Sequence, residues 1–369
     1  MAEAIVANKE NRISADSHMA EPLDLWVQRM PERFRDRALR FRDHRIGEGQ
    51  YAREGGWEPA PRLKDMAADG VSAEVLYPTR GKEMFRQGCD PEVAEVSAHV
   101  YNEWMMEFCQ EAPDRLWGQG MVCLWDMDNA VQELEWCKRA GLVGATTWMI
   151  PPEGLSFASD HYERFWAAAQ DLEMPVSMHI NTGFGEYGEG FQRGATIVES
   201  VKRTCGGHKK IAMDVLTELI CSGALERHPR LKIVLAELEV GWIPFWLEDM
   251  DRRFLKSREH SQFSLLPSEY FERQIYATFT QDRSGGYLMG QYGADNFLWS
   301  NDYPHPGCIW PYSDVVITKT VGHLSPEIRA KVLRENTARL YGKPIPEQMP
   351  REPAPDMEAV WGRLWINKD

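Results

Sequence analysis

The sequence predicts an α/β fold, the (β/α)8 TIM barrel. Three observations point to it. Eight short β-rich runs recur along 369 residues. Helical patterns lie between them. No GxGxxG follows any run, as an open dinucleotide-binding sheet would require.

The runs are residues 12–16 (RISAD), 73–78 (AEVLYP), 118–124 (GQGMVCL) and 144–150 (GATTWMI), then 176–179 (VSMH), 233–236 (IVLA), 275–279 (IYATF) and 297–300 (FLWS). Each is rich in β-branched, aromatic or small residues. Between the second and third, residues 92–112 carry Val93, Val96, Val100, Trp104 and Phe108 near helical spacing. Residues 129–140 open after Asp126 and Asp128 and stop at Gly141. Residues 162–172, 213–222, 242–254 and 326–340 follow the same pattern, the last opening at Ser325-Pro326 and ending at Gly342. Trp242, Phe245 and Trp246 recur at helix spacing and are expected in the core.

Three segments fall outside this alternation. Residues 27–70 form a long charged loop after strand one, and residues 181–210 a Gly-rich loop after strand five. Loops after strands lie on the catalytic face of a barrel, so both are candidate lids. Residues 343–369 hold Pro344, Pro346, Pro350, Pro353 and Pro355 and are expected as an extended tail. The chain thus divides into a barrel over residues 1–342 and a Pro-rich tail over 343–369. Trp361 and Trp365 would wrap a neighbour in a homo-oligomer or fold back on the chain's own barrel.

Composition narrows the function. The net charge of −14 repels phosphates and argues against nucleic acid. No apolar run approaches the roughly 20 residues that span a bilayer. MAEAIVANKENR shows no signal-peptide pattern. The seven scattered cysteines are expected as reduced, mostly buried thiols of a cytoplasmic protein. Fourteen tryptophans need a large core or an aromatic pocket.

Chemistry gathers at the strand ends. Asp16 and His18 end strand one, and their spacing of two points both into one barrel mouth. His179 ends strand five, Glu237 follows strand six, and Asp302 and His305 follow strand eight in SNDYPHP. A lone D-x-H is common on surface loops, and a lone strand-end His is more often structural. The joint occurrence at one barrel end is what suits a divalent first-row metal. The other seven histidines, His208 in GGHKK included, sit in contexts that favour surface roles. No G-x-S-x-G elbow, paired Cys/His spacing or P-loop occurs. Trp299 and Trp310 bracket the Asp302 segment as candidate pocket walls or core residues. Arg80 and Lys82, just past strand two, can meet a substrate carboxylate, though solvent exposure is the commoner fate.

These segments resemble the amidohydrolase-2 family, metal-dependent (β/α)8 hydrolases and decarboxylases. ADSHMAEPLDLW (15–26), ADGVSAEVLYPT (68–79), VSMHIN (176–181), LKIVLAELEVGWIPFWLEDMD (231–251), WSNDYPHPGCIWP (299–311) and RENTARLYG (334–342) carry the likeness, which spans roughly residues 12–342. The resemblance implies that Asp16, His18, His179 and Asp302 hold metal, with Asp302 also accepting a proton from metal-bound water. Many members, aromatic-acid decarboxylases among them, have a catalytic His after strand six. Here Glu237 stands there, adding negative charge and a ligand oxygen, which weighs against decarboxylation and for a second metal.

The expected function is therefore metal-assisted hydrolysis, with one or two Zn, Mn or Fe ions per chain. Metal-activated water would attack a carbonyl, ester or thioester before amide or C–C bond. Asp302, Glu237 and His305 would be catalytic, His305 either binding metal or orienting Asp302. Trp299, Trp310 and Arg80 would contact a small substrate with an apolar or aromatic acyl group. The alternatives are a metal-dependent decarboxylase of a hydroxylated aromatic acid and a non-catalytic ligand-binding barrel.

Overall fold

The computed structural model describes residues 10–46, 50–86, 89–184, 196–305 and 307–355. Eight parallel strands form a nearly closed barrel: β1 (Arg12–His18), β2 (Val71–Tyr77), β3 (Leu116–Met121), β4 (Gly144–Thr147), β5 (Val176–His179), β6 (Ile233–Ala236), β7 (Ile275–Phe279) and β8 (Phe297–Trp299). Each pairs with the next in chain order. At the mouth β8 returns to β1, where the Asp302 amide donates to the Asp16 carbonyl (3.0 Å). The strands are buried along their whole length, as expected for a sheet covered on both faces.

Side-chain alternation sorts two apolar layers. Ile13, Val75, Tyr77, Trp117 and Ala236 pack inside with Ala338 and Tyr341 of the last helix, Asn336–Tyr341. That helix closes the N-terminal end of the barrel, and Gln119 donates to the Tyr341 hydroxyl (3.0 Å). Outside the strands, Trp26, Trp148, Trp166 and Phe165 belong to the shell between barrel and helices. Fully burying side chains of this kind contributes about 2–3 kcal/mol each.

The eight strands stand where the sequence places them, offset by up to three residues at their ends. The connection over residues 27–70 is more ordered than expected. It holds a short helix (Glu32–Arg37) and Pro59–Asp69, a helix that starts on Pro59 and stops at Gly70 in the left-handed region. Beyond β5, Ile197–Val201 leads through a wide turn into His208–Cys221, so only part of that connection is loop. Helices Pro267–Gln274, Arg283–Tyr292 and Ser313–Thr320 were not foreseen. Phe245 is not in the core: it is 72% exposed, and Trp242 and Trp246 are half-buried.

Residues 343–355 form no helix or strand. They run back along the chain's own barrel: Asn11 donates to the Pro346 carbonyl, Arg115 to that of Glu347, and Arg351 pairs with Asp314. Trp361 and Trp365 lie outside the described residues. The cysteines are free thiols, four of them buried. No helix among the described residues is long and apolar enough to cross a membrane.

Candidate metal centre

The first strand is irregular between Ser14 and Ser17. Such irregularities re-aim side chains near active sites. Ala15 packs against Val234 and Leu298, and Asp16 and His18 follow at the barrel mouth. Asn301 fixes this bend, accepting from Ser14 Oγ (3.0 Å) and Ser17 Oγ (2.9 Å). Glu237 and Asp302 leave β6 and β8 in the left-handed region, at φ 61° and 56°. That region is costly for side chains of this kind and recurs at functional sites.

Six predicted residues meet here. His18 Nε2 lies 3.4 Å from Asp16 Oδ1, 3.5 Å from Asp302 Oδ1 and 3.9 Å from Glu237 Oε2. His179 Nε2 lies 3.0 Å from His18 Nε2, 3.5 Å from Asp16 Oδ1 and 3.4 Å from Glu237 Oε2. His305 stacks on His18 at 3.7 Å between ring centres, with Nδ1 2.9 Å from Asp302 Oδ1 and Nε2 2.9 Å from Thr79 Oγ1. Asp16, His18, His179 and Asp302 are buried, while the Glu237 side chain is 29% exposed and marks the open side.

Hydrogen bonding shows what the cluster needs. His18 Nδ1 lies 3.2 Å from the Pro78 carbonyl and His179 Nδ1 2.9 Å from that of Ile180. Carbonyls only accept, so these contacts assign the hydrogens to Nδ1 and leave both Nε2 atoms as bare lone pairs facing each other. Asp16 Oδ1 and Asp302 Oδ1 are buried and receive no hydrogen bond. Two lone pairs and two orphaned oxygens on one point fit a divalent cation, and the nitrogen-and-carboxylate set suits Mn, Fe or Zn.

The charges agree. Burial, then the Asp16 charge, pushes the Asp302 carboxyl well above its usual range. Burial, then Asp302, pushes Glu237 up to about 7. Burial holds His305 down to about 4, with Lys82 adding to the shift. Without a cation the three carboxylates resist ionising together.

The remaining candidates lie elsewhere. Trp299 points into the shell outside the strands, and Trp310 packs on Tyr303 and donates to the Asp65 carbonyl (2.7 Å). The Arg80 guanidinium is buried against the Glu21 and Asp43 carbonyls. None of the three joins the cluster, because strand alternation and nearer oxygen acceptors turn them away. The exposed fate expected for Lys82 is also corrected: it is 7% exposed, with Nζ 3.3 Å from His179 Nδ1. His208 and His228 are 5% and 9% exposed rather than on the surface.

Two contributors were missed. Thr278 Oγ1 donates to Asp16 Oδ2 (3.1 Å) and accepts from the Glu237 amide (2.8 Å), tying β7 to both acids. Glu21 accepts from the amides of Thr79 (3.1 Å), Arg80 (2.9 Å) and Gly81 (3.0 Å), building the turn that carries Lys82. Inward alternation in IYATF signals Thr278; Glu21 acts across 60 residues and leaves no local signal.

A family model described as amidohydrolase matches residues 16–343. The gamma-resorcylate decarboxylase of Rhizobium radiobacter is 26% identical over 291 residues, 76% of this chain and 86% of that protein. Among solved structures, an amidohydrolase from Mycobacterium avium subsp. paratuberculosis superposes with a TM-score of 0.73 at 19% identity, over 90% of this chain and 99% of that one. A dihydroxybenzoic acid decarboxylase from a Polaromonas species, with bound manganese and the inhibitor 2-nitroresorcinol, gives 0.64 at 20% identity, over 90% and 97%. These findings overturn the expectation of ester or thioester hydrolysis: the relatives of named activity are decarboxylases. A cation beside a proton-carrying carboxyl group serves both chemistries, so the site residues alone did not separate them.

Proposed function

The chain belongs to the amidohydrolase family, and from that premise we propose that it is a metal-dependent decarboxylase of a hydroxylated aromatic acid. The observation that carries this reading is the likeness to a gamma-resorcylate decarboxylase across three quarters of the chain. Asp16, His18, His179 and Asp302 would hold the divalent ion, manganese being the first choice, with Glu237 facing it. When bound, the ion supplies Lewis-acid polarisation of the acid's oxygens.

The remaining work falls to the side chains. Asp302, 2.9 Å from His305 Nδ1, would pass a proton to the ring carbon that bears the carboxylate. The C–C bond then breaks, its electron pair restores the aromatic ring, and carbon dioxide leaves. Asp302 is left ionised beside His305, whose contact with Thr79 Oγ1 offers a path for reprotonation. Glu237 stands where the family resemblance implies a histidine in many members, and its carboxyl faces the cluster from the open side.

The test is incubation of manganese-loaded protein with gamma-resorcylate. Resorcinol and carbon dioxide are expected, with loss of turnover on chelation and recovery on adding manganese. No release from gamma-resorcylate or 5-carboxyvanillate at any manganese loading contradicts the reading.

A further inference from the structure

Besides histidines, four cationic side chains are buried among the described residues: Arg12, Arg62, Arg80 and Lys82. Arg12 pairs with Asp314, Arg62 with Glu74, and Arg80 donates to two carbonyls. Lys82 differs. No carboxylate among the described residues lies within 4.0 Å of its ammonium, whose close polar contact is His179 Nδ1 at 3.3 Å. That nitrogen carries a hydrogen, because it faces the Ile180 carbonyl and because Nε2 must be free to ligate. The ammonium therefore meets an N–H rather than an acceptor. Glu237, Asp16, Asp302 and Glu21 act on this charge only from beyond 4.0 Å, so a buried ammonium with no direct acceptor gains from an anion that can reach it.

We propose that Lys82 is the anchor for the substrate's carboxylate. The turn that carries it, Gly81–Phe85, is tied down at its start: Glu21 accepts from the amides of Thr79, Arg80 and Gly81, and a Cβ on Gly81 would come within 2.6 Å of Met121 Sδ. The far end of the turn packs into the shell outside the strands. Phe85 meets Trp148 edge-on at 6.3 Å, and Trp148, Trp125 and Phe184 pack mutually at 5.1–5.7 Å. The site thus offers a cation for a carboxylate beside the metal-ready cluster. The inference deepens the decarboxylase reading and rests on it for the choice of acid.

Calorimetry on the manganese-loaded full chain tests the anchor, using gamma-resorcylate and resorcinol, which lacks the carboxyl group. Lys82→Met is expected to weaken gamma-resorcylate by about 10-fold or more, while resorcinol stays within about twofold. Lys82→Arg should recover part of the loss. Manganese content and melting temperature should match the wild type, which separates loss of an anchor from loss of the fold. Equal weakening of both ligands, no weakening of the acid, or no binding of the acid by the wild type overturns the anchor. If the acid binds through Lys82 yet releases no carbon dioxide, the anchor stands and the decarboxylase reading falls.

Discussion

Asp302 is the residue on which the proposed chemistry turns. It joins three properties that its position alone supplies: a left-handed backbone, an orphaned buried oxygen, and a histidine 2.9 Å from that oxygen. Asp302→Asn keeps the shape and removes the transferable proton, so turnover should fall by at least about 1000-fold with an unchanged circular dichroism spectrum. Activity within about tenfold of wild type would remove Asp302 from proton transfer. This residue and its five partners were legible in the sequence, because ligand-type side chains at strand ends converge whenever strands form a barrel. Lys82 and His208 were misread for the opposite reason. Their neighbours in the chain are polar, and the burial of each comes from elements distant in sequence: Lys82 beside His179, 97 residues on, and His208 at the start of a helix packed into the shell.

At the scale of elements, the strands were readable and several helices were not. A strand buried on both faces reads as a short apolar run wherever it falls. Helix Pro59–Asp69 carries Pro59, Pro61, Arg62 and Lys64, and its short apolar stripe of Leu63, Met66 and Ala67 is interrupted by Arg62 and Asp65 on the buried side. Tertiary ion pairs hold it, and sequence periodicity does not report them. The turn Gly81–Phe85 is the same kind of case, held from outside by Glu21. Glu21→Ala strips three amides of their acceptor and should cost about 2–4 kcal/mol. A lower melting temperature and a raised KM for the aromatic acid are expected. A variant with wild-type stability would show that the turn stands without Glu21. Gly183 is a second such joint. Its φ of 107° and a Cβ position 2.1 Å from the Ile150 carbonyl allow only glycine where the loops after β4 and β5 bridge.

For the whole molecule, the barrel is closed at its base by the last helix and crowded with acids at its mouth. Glu237 is raised from 4.5 to about 7 by burial and by Asp302, and Asp302 is raised further by burial and Asp16. A carboxyl raised on folding stabilises the chain at low pH and loses that contribution as pH rises through its folded value. In metal-stripped protein the Glu237 contribution therefore falls as pH climbs from about 4.5 through about 7, while His305, held down to about 4, acts in the opposite sense, so Glu237→Gln should remove the falling part of the melting-temperature profile. Manganese competes with those protons, so its affinity should rise over the same window and its stabilisation should be largest above pH 7. A manganese affinity independent of pH would contradict a centre built on these acids. Likeness to decarboxylases over most of the chain, together with the cation-ready cluster, makes the proposed reaction the central claim. It is tested most directly by giving the manganese-loaded enzyme gamma-resorcylate labelled with carbon-13 at the carboxyl, in heavy water. The account predicts labelled carbon dioxide and resorcinol bearing one deuterium at the vacated ring carbon; labelled acid recovered intact would contradict it.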